Sequence, residues 1–387
     1  MNLWTLALAY LRRNRLASAL NVLLMAIGIA TIVLLALFAQ QMNQRMSRDA
    51  AGVDLVLGAK GSPVQLILSA VYHADVPTGN IDYAEARRWA QHPMVRRAIP
   101  QALGDSWRGF RIVGTSHDYP AHYGAAIAEG RLWQAPGEVT VGAEVAAAGM
   151  QIGQSFFGVH GFSERGHAHE NSEYRVVGVL QATGTVADRL IFTGLESVWA
   201  VHGDAAPEAP EITSMLLNYK TPLAATQLPR QINTQSQLQA ASPAFETARL
   251  LNLVGIGLDG FRLFGWLLVA TAGIGIFVAL YHALEARRYD LAMMRCLGAS
   301  RWQVIASLVI EALLLTLAGA VLGLLLGHAA AELLGAVTDE RLVLSGAQFL
   351  PQELAIVAAA LAVGMVAAAL PAIRLYRADV ARILSEG

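Results

Sequence analysis

Glu285–Gly327 reads EARRYDLAMMRCLGASRWQVIASLVIEALLLTLAGAVLGLLLG, and its two parts suit different solvents. The first part, up to Arg301, sets Arg287, Arg288, Arg295 and Arg301 among apolar residues. From Trp302 the chain turns apolar and stays so to Ala331, broken by one acid, Glu311. About 20 apolar residues span the hydrocarbon core of a bilayer. The stretch therefore predicts a basic loop followed by a membrane-spanning helix.

Working outward, three further runs have the same character. Leu16–Gln44 contains no charged residue, Leu263–Leu284 contains none, and Leu354–Ile373 is apolar throughout. The first run is longer than the apolar region of a signal peptide and no A-x-A site follows it, so it is expected to remain as a helix. The fold class expected is a membrane α-helical protein with four transmembrane helices and a mixed α/β extracytoplasmic domain. Composition agrees: of 387 residues 55% are hydrophobic and only 15% charged, against roughly a quarter charged in soluble domains. A net charge of −1 gives no basis for nucleic-acid binding. The lone Cys296 rules out an intrachain disulfide.

Arginines set the orientation. Arg12, Arg13 and Arg15 precede the first span, the loop quoted above joins the second to the third, and Arg374, Arg377 and Arg382 follow the fourth. The loop between the third and fourth spans is acidic on balance. Both termini are thus expected in the cytoplasm of a bacterial inner membrane, with a large periplasmic domain. The divisions read from the sequence are a cytoplasmic segment at 1–15, spans at 16–41, 259–284, 302–330 and 353–374, and an outer domain with its stalk at 42–258. The loop at 285–301, an outer loop at 331–352 and a tail at 375–387 complete them.

Within the third span Gly319, Gly323 and Gly327 recur every four residues, and Ala360, Gly364 and Ala368 do so in the fourth. Small residues at this spacing let helix backbones approach closely in lipid. The pattern fits packing inside one chain and equally a dimer interface. Glu311 is read as a structural acid facing protein, since an intramembrane carboxylate is costly and a proton relay would need a second acid or lysine in the other spans, whose apolar runs hold none. No ladder of polar residues lines a channel.

The outer domain reads as mixed α/β. Gly109–Ser116, Glu138–Gly142, Tyr174–Leu180 and Ile212–Tyr219 have strand character. Asp82–Gln91 has an N-cap and helical period, Pro222–Gln239 reads as a second helix, and Ser242-Pro243 opens a third. Gly58-Ala-Lys60-Gly-Ser62 lacks the spacing of a phosphate loop, and no nucleotide is expected to bind this chain directly. Eight of the ten histidines lie in this domain. His160, His167, His169 and Glu170 could supply zinc ligands in a flexible loop. The same run also fits an exposed polar loop without metal. His73, His117 and His122 are expected to make ordinary hydrogen bonds.

Glu285–Gly327, with its LGA, its Glu311-Ala312 inside the span and its glycine-rich finish, resembles the FtsX-like permease domain. Leu370–Arg374 followed by Ala378-Asp379-Val380 is similar to that family's ending, with Val380 where proline is common. Tyr10–Gly28 resembles its first span, and Glu138–Phe156 with Tyr174–Leu180 is similar to the MacB-type periplasmic core domain. The resemblance implies a mechanotransmission ABC transporter permease of the MacB, LolC/LolE and FtsX group. Such a subunit is non-catalytic, dimerises with a second copy or a homologue, and binds a separate cytoplasmic ATPase that carries ATP and magnesium. A periplasmic adaptor or substrate-binding protein is a further implied partner. The resemblance also makes Glu285, Arg287, Arg288, Leu291, Met294, Arg295, Leu297 and Arg301 the ATPase-coupling residues. Two other functions stay open: a transducer that activates a periplasmic enzyme, and a zinc-linked transport system.

Overall fold

A computed structural model describes residues 3–160, 168–201, 209–286, 293–337 and 344–377. The chain forms two compact units, Met1–Met42 with Val254–Gly387, and Asn43–Leu253.

The first unit is helical. A short helix α1 (Leu3–Arg13) precedes α2 (Arg15–Asp49). The sequence reading assigned no structure to the residues of α1. Among the described residues four helices are long and apolar enough to cross a membrane: α2, then Pro243–Ala286, Arg301–Val337 and Gln352–Arg374. Their shared core includes Met25, Ile29, Val269, Ile276, Ala312 and Ala360. Backbones meet where side chains are missing. A β-carbon built on Gly319 would lie 2.6 Å from Met25 Cβ, one on Gly323 2.7 Å from Ile29 Cβ, and one on Gly327 3.0 Å from Val33 Cβ. The glycine stripe is thus a groove filled by a ridge of α2 at i, i+4 and i+8. Gly28 and Gly265 similarly face each other, and Gly364 admits Thr316. Glu311 is 2% exposed, on the protein side of its helix.

The helix ends around Gln41 are tied by a loop. Gln41 exchanges two hydrogen bonds with the Ser345 backbone, at 2.7 and 2.9 Å. Glu332 accepts from Gly346 N–H at 2.7 Å. His328 contacts the Gly346 carbonyl at 2.7 Å and Glu353 at 3.1 Å.

The second unit is α/β. In chain order its strands are β1 (Leu55–Ala59), β2 (Ile81–Asp82), β3 (Val95–Trp107), β4 (Phe110–Thr115), β5 (Ile127–Gly130), β6 (Glu138–Val141), β7 (Ser155–His160), β8 (Ala168–Leu180), β9 (Leu190–Thr193), β10 (Glu211–Ile212), β11 (Ser214–Tyr219) and β12 (Leu238–Ala241). Its helices are α3 (Pro63–Ala70), α4 (Tyr83–Ala90), α5 (Asp118–His122), α6 (Ala143–Ala147), α7 (Leu195–Val201) and α8 (Ala224–Gln235). The main sheet runs β12-β1-β11-β3-β4-β9-β6-β8-β5, with β7 joined to β3 and β8, while β10 and β2 pair apart. Pairing is antiparallel except for β4 with β9 and β6 with β8. Strand β1 is buried on both faces, Val56 in one core and Leu55 and Leu57 in the other. Such a strand reads as a continuous apolar run rather than an alternating one. The remaining long helices are α9 (Pro243–Ala286), α10 (Arg301–Val337) and α11 (Gln352–Arg377).

One sequence expectation is corrected here. The helix expected over Pro222–Gln239 is shorter, and Leu238–Ala241 is the strand β12 beside β1. Ser236 closes α8 by bonding the Ile232 carbonyl through both its amide (3.1 Å) and its hydroxyl (2.7 Å). Asn233 then receives the Ala240 amide at 2.7 Å, so pairing with a distant strand overrides the local helical period. The Gly58–Ser62 turn is a packing device. A β-carbon on Gly58 would meet Leu66 at 2.3 Å, and Ser62 caps α3 by accepting from Gln65 N–H at 3.3 Å.

Candidate functional site

The turn between the second and third spans has a defined shape from Met293 onward. The chain is helical through Cys296 and then stops. Gly298 takes φ +99°, in the left-handed region, where glycine has no β-carbon to clash. Ala299 N–H bonds the Met294 carbonyl at 3.0 Å and Gly298 N–H the Arg295 carbonyl at 3.1 Å, which closes the helix end. Ser300 then starts α10 with a reciprocal cap. Its hydroxyl accepts from Gln303 N–H at 3.2 Å, and its own N–H donates to Gln303 Oε1 at 2.8 Å. This is the S-x-x-Q capping box. The sequence LGAS therefore encodes a stop, a reversal and a start.

Fixed in this way, the turn presents apolar side chains to its surroundings. Leu297 is 83% exposed and Trp302 71%, while Met294 and Ala299 pack against the helical core. Cys296 is exposed beside them. Of the coupling residues expected from sequence, Glu285, Met294, Arg295, Leu297 and Arg301 are described, and Glu285, Leu297 and Arg301 are solvent-facing. Arg287, Arg288 and Leu291 lie outside the described residues.

A second set of residues, missed in the sequence, roots two helices in the α/β unit. The Tyr72 hydroxyl donates to the Met46 carbonyl of α2 at 3.4 Å and shares a 2.5 Å hydrogen bond with Thr247 of α9. The Tyr123 hydroxyl donates to the Asp49 carbonyl at 2.8 Å. Arg189 pairs with the Asp49 carboxylate at 3.3 Å, and Asn218 donates to the Gly52 carbonyl. Burial pushes the Tyr72 and Tyr123 hydroxyls up from the ordinary tyrosine range, so both remain donors at neutral pH. Behind them His73 is 6% exposed and bonds the Tyr119 hydroxyl at 2.7 Å. Burial first, then the nearby Arg111 and Arg189, push its pKa down to about 3, so the imidazole is neutral. Tyrosines placed singly in loops give no sequence signal for such a role. Their partners lie up to 175 residues away.

His117 and His122 bond the carbonyls of Trp133 (2.8 Å) and Ala51 (2.9 Å). The zinc candidate His167 lies outside the described residues, as do the side chains of His160, His169 and Glu170. Among the described residues no group of three metal-ligating side chains converges.

Two family profiles match the chain. The MacB-like periplasmic core domain covers residues 18–235 and the FtsX-like permease C-terminal covers 262–380. Over 396 residues the chain is 24% identical to the pyoverdine export ATP-binding/permease protein PvdT of Pseudomonas syringae pv. tomato, covering 96% of this chain and 58% of that protein. It is 22% identical over 359 residues to the macrolide export ATP-binding/permease protein MacB of Nitrosomonas europaea, covering 83% and 50%. The chain thus spans about half the length of the curated relatives it matches. Among solved structures, the periplasmic region of MacB from Actinobacillus actinomycetemcomitans aligns with TM-score 0.35 and 12% identity, over 53% of this chain and 96% of that one. With the periplasmic-core profile alone matching more than half of its residues and the permease profile matching its last three spans, the chain belongs to the FtsX/MacB-type family of ABC transporter permeases.

Proposed function

We propose that this permease couples ATP hydrolysis by a cytoplasmic ABC ATPase to movement of its periplasmic domain, for export or extraction of a substrate. The observation that carries the reading is the turn at Met293–Trp302. Two helix ends, each closed by its own cap, hold Leu297 and Trp302 outward in the stretch matched by the permease profile. A helix end that lays apolar side chains into a groove is an established recognition mode. On this proposal Leu297 and Trp302 fill a groove on the ATPase, and Arg287, Arg288, Arg295 and Arg301 meet carboxylates around it. The loop is then cytoplasmic, and so are both termini.

Movement would pass along α2 and α9. Each runs from the helical unit into the α/β unit, where Tyr72 bonds both. The relatives are named for export of pyoverdine and of macrolides, and only that class of work is carried to this chain. A second permease copy or a homologue completes the proposed assembly.

Co-purification from membranes in mild detergent tests the reading. The wild-type chain should retain an ABC ATPase, identified by mass spectrometry. Leu297→Asp, and charge reversal at Arg287 and Arg288 together, should lose it while the chain still inserts. If no ATPase is retained under several gentle conditions, or if these variants retain it fully, the coupling role of the turn is wrong.

A further inference from the structure

The α/β unit gathers basic side chains at one end of its sheet, the end where the chain enters from the first span. The strand register places them. Arg97 of β3 lies opposite Asn218 of β11, and Asn218 reaches the Gly52 carbonyl just after α2. Lys220 follows β11, its N–H bonded to the Met94 carbonyl at 2.8 Å, two residues before Arg96. Arg87 and Arg88 occupy the last turn of α4. That turn joins β3 through Gln91 N–H to the Arg87 carbonyl (3.1 Å) and Val95 N–H to the His92 carbonyl (2.8 Å). All five side chains are exposed, and among the described residues none is paired with a carboxylate.

The acids nearby are fewer than the cations. Asp54 accepts from Tyr219 N–H at 2.7 Å, and Asp49 is held by Arg189. Asp82 and Glu85 sit at the opposite end of α4, with Asp82 capping it. Beside the patch, His122 is held below the ordinary histidine range by burial and by Arg97. Five exposed cations against the charge of Asp54 leave this end of the unit net positive.

Chain length says what this end can face. The apolar stretch read as the first span stops at Gln41, and α2 ends at Asp49. At a rise of about 1.5 Å per residue, the intervening helix measures about 12 Å. The headgroup layer takes up roughly 5–8 Å of that. What is left is within about one Debye length at physiological salt, on the order of 8 Å. Neighbouring strands are about 4.8 Å apart, so β11 and β3, one and two places from β1, put the patch close beside the point of entry.

We propose that Arg87, Arg88, Arg96, Arg97 and Lys220 form a docking face for the anionic phospholipid headgroups of the membrane that the chain itself crosses. Contact would set the tilt of the α/β unit over the bilayer, and anionic lipid would favour the docked position. A surface Lys or Arg contributes on the order of 1 kcal/mol at an anionic membrane, which is about fivefold in the docking equilibrium per charge.

The test uses the full chain in vesicles. Cys296→Ser with Gln91→Cys gives one labelling position at the end of α4, read by quenching from headgroup nitroxide lipids. Quenching should be strong with phosphatidylglycerol, weak in phosphatidylcholine alone, and reduced by high salt. The fourfold variant Arg87→Gln, Arg88→Gln, Arg96→Gln, Arg97→Gln should lose it. The matching fourfold Arg→Lys variant should keep it, which separates charge from folding. Equal quenching in the two bilayers, or loss in the Lys variant, overturns the proposal. So does selective release by inorganic phosphate over chloride at equal ionic strength, which would make this a site for a free anion.

Discussion

Tyr72 holds two helices with one oxygen, and that defines what its loss should do. Removing the hydroxyl in Tyr72→Phe costs about 1 kcal/mol and leaves the Met46 carbonyl and Thr247 without their shared partner. A domain of this size should melt about 2–4 °C lower. If the proposed transmission is right, the complex should still hydrolyse ATP but respond more weakly to its substrate. Unchanged melting would show that the bridge is immaterial. His73 gives a pH prediction. Its folded pKa of about 3 lies below the ordinary value of 6.5, so on acidification the unfolded chain takes up the proton first. The stabilisation is complete above about pH 6.5 and falls by roughly 1.4 kcal/mol per unit below it, until the folded state also protonates near the lowered value. Thermal melts of wild type and His73→Gln between pH 7 and 5 should diverge by on the order of 2 kcal/mol in pH dependence. Parallel curves would contradict the assignment. In the helical unit, Gly323→Leu forces a β-carbon against Ile29 and the Ala26 carbonyl. Overpacking of this kind costs about 1–3 kcal/mol and should appear as a lower melting temperature in detergent.

At the scale of elements, the turn at Met293–Trp302 depends on two caps. Gly298→Val places a β-branched residue at φ +99°, which only glycine adopts readily. Ser300→Ala removes one half of the capping box, at about 1 kcal/mol. Both should weaken ATPase retention while leaving the outer domain's melting unchanged, and a matching loss of domain stability would argue against a local effect. The sequence reading took this element only as a basic loop, although the residues of LGAS that cap it stand next to one another. The four spans were legible because each is one continuous apolar run, and Asp82 announced α4 by capping it. Helix α1 escaped notice because its arginines were read for topology and not for period. Strand β12 was hidden in a helical pattern because its partner β1 is far away in sequence. The tyrosine roots were invisible for that reason too.

Over the whole molecule the two units divide the physics. In the helical unit, glycines and alanines bring backbones together where burial supplies little drive. In the α/β unit, aromatic and aliphatic cores on both sheet faces supply it. On the function proposed above, the division has a purpose: force would enter at the Met293–Trp302 turn and motion would leave through the α/β unit. The most direct test of that claim uses Cys296, the chain's one cysteine, which is exposed beside Leu297. A photoactivatable maleimide on Cys296 in intact membranes should, on illumination, link the chain to an ABC ATPase found by mass spectrometry, and Leu297→Asp should abolish the link. Efficient labelling and illumination that join this turn to no ATPase, or only to other membrane proteins, would contradict the account.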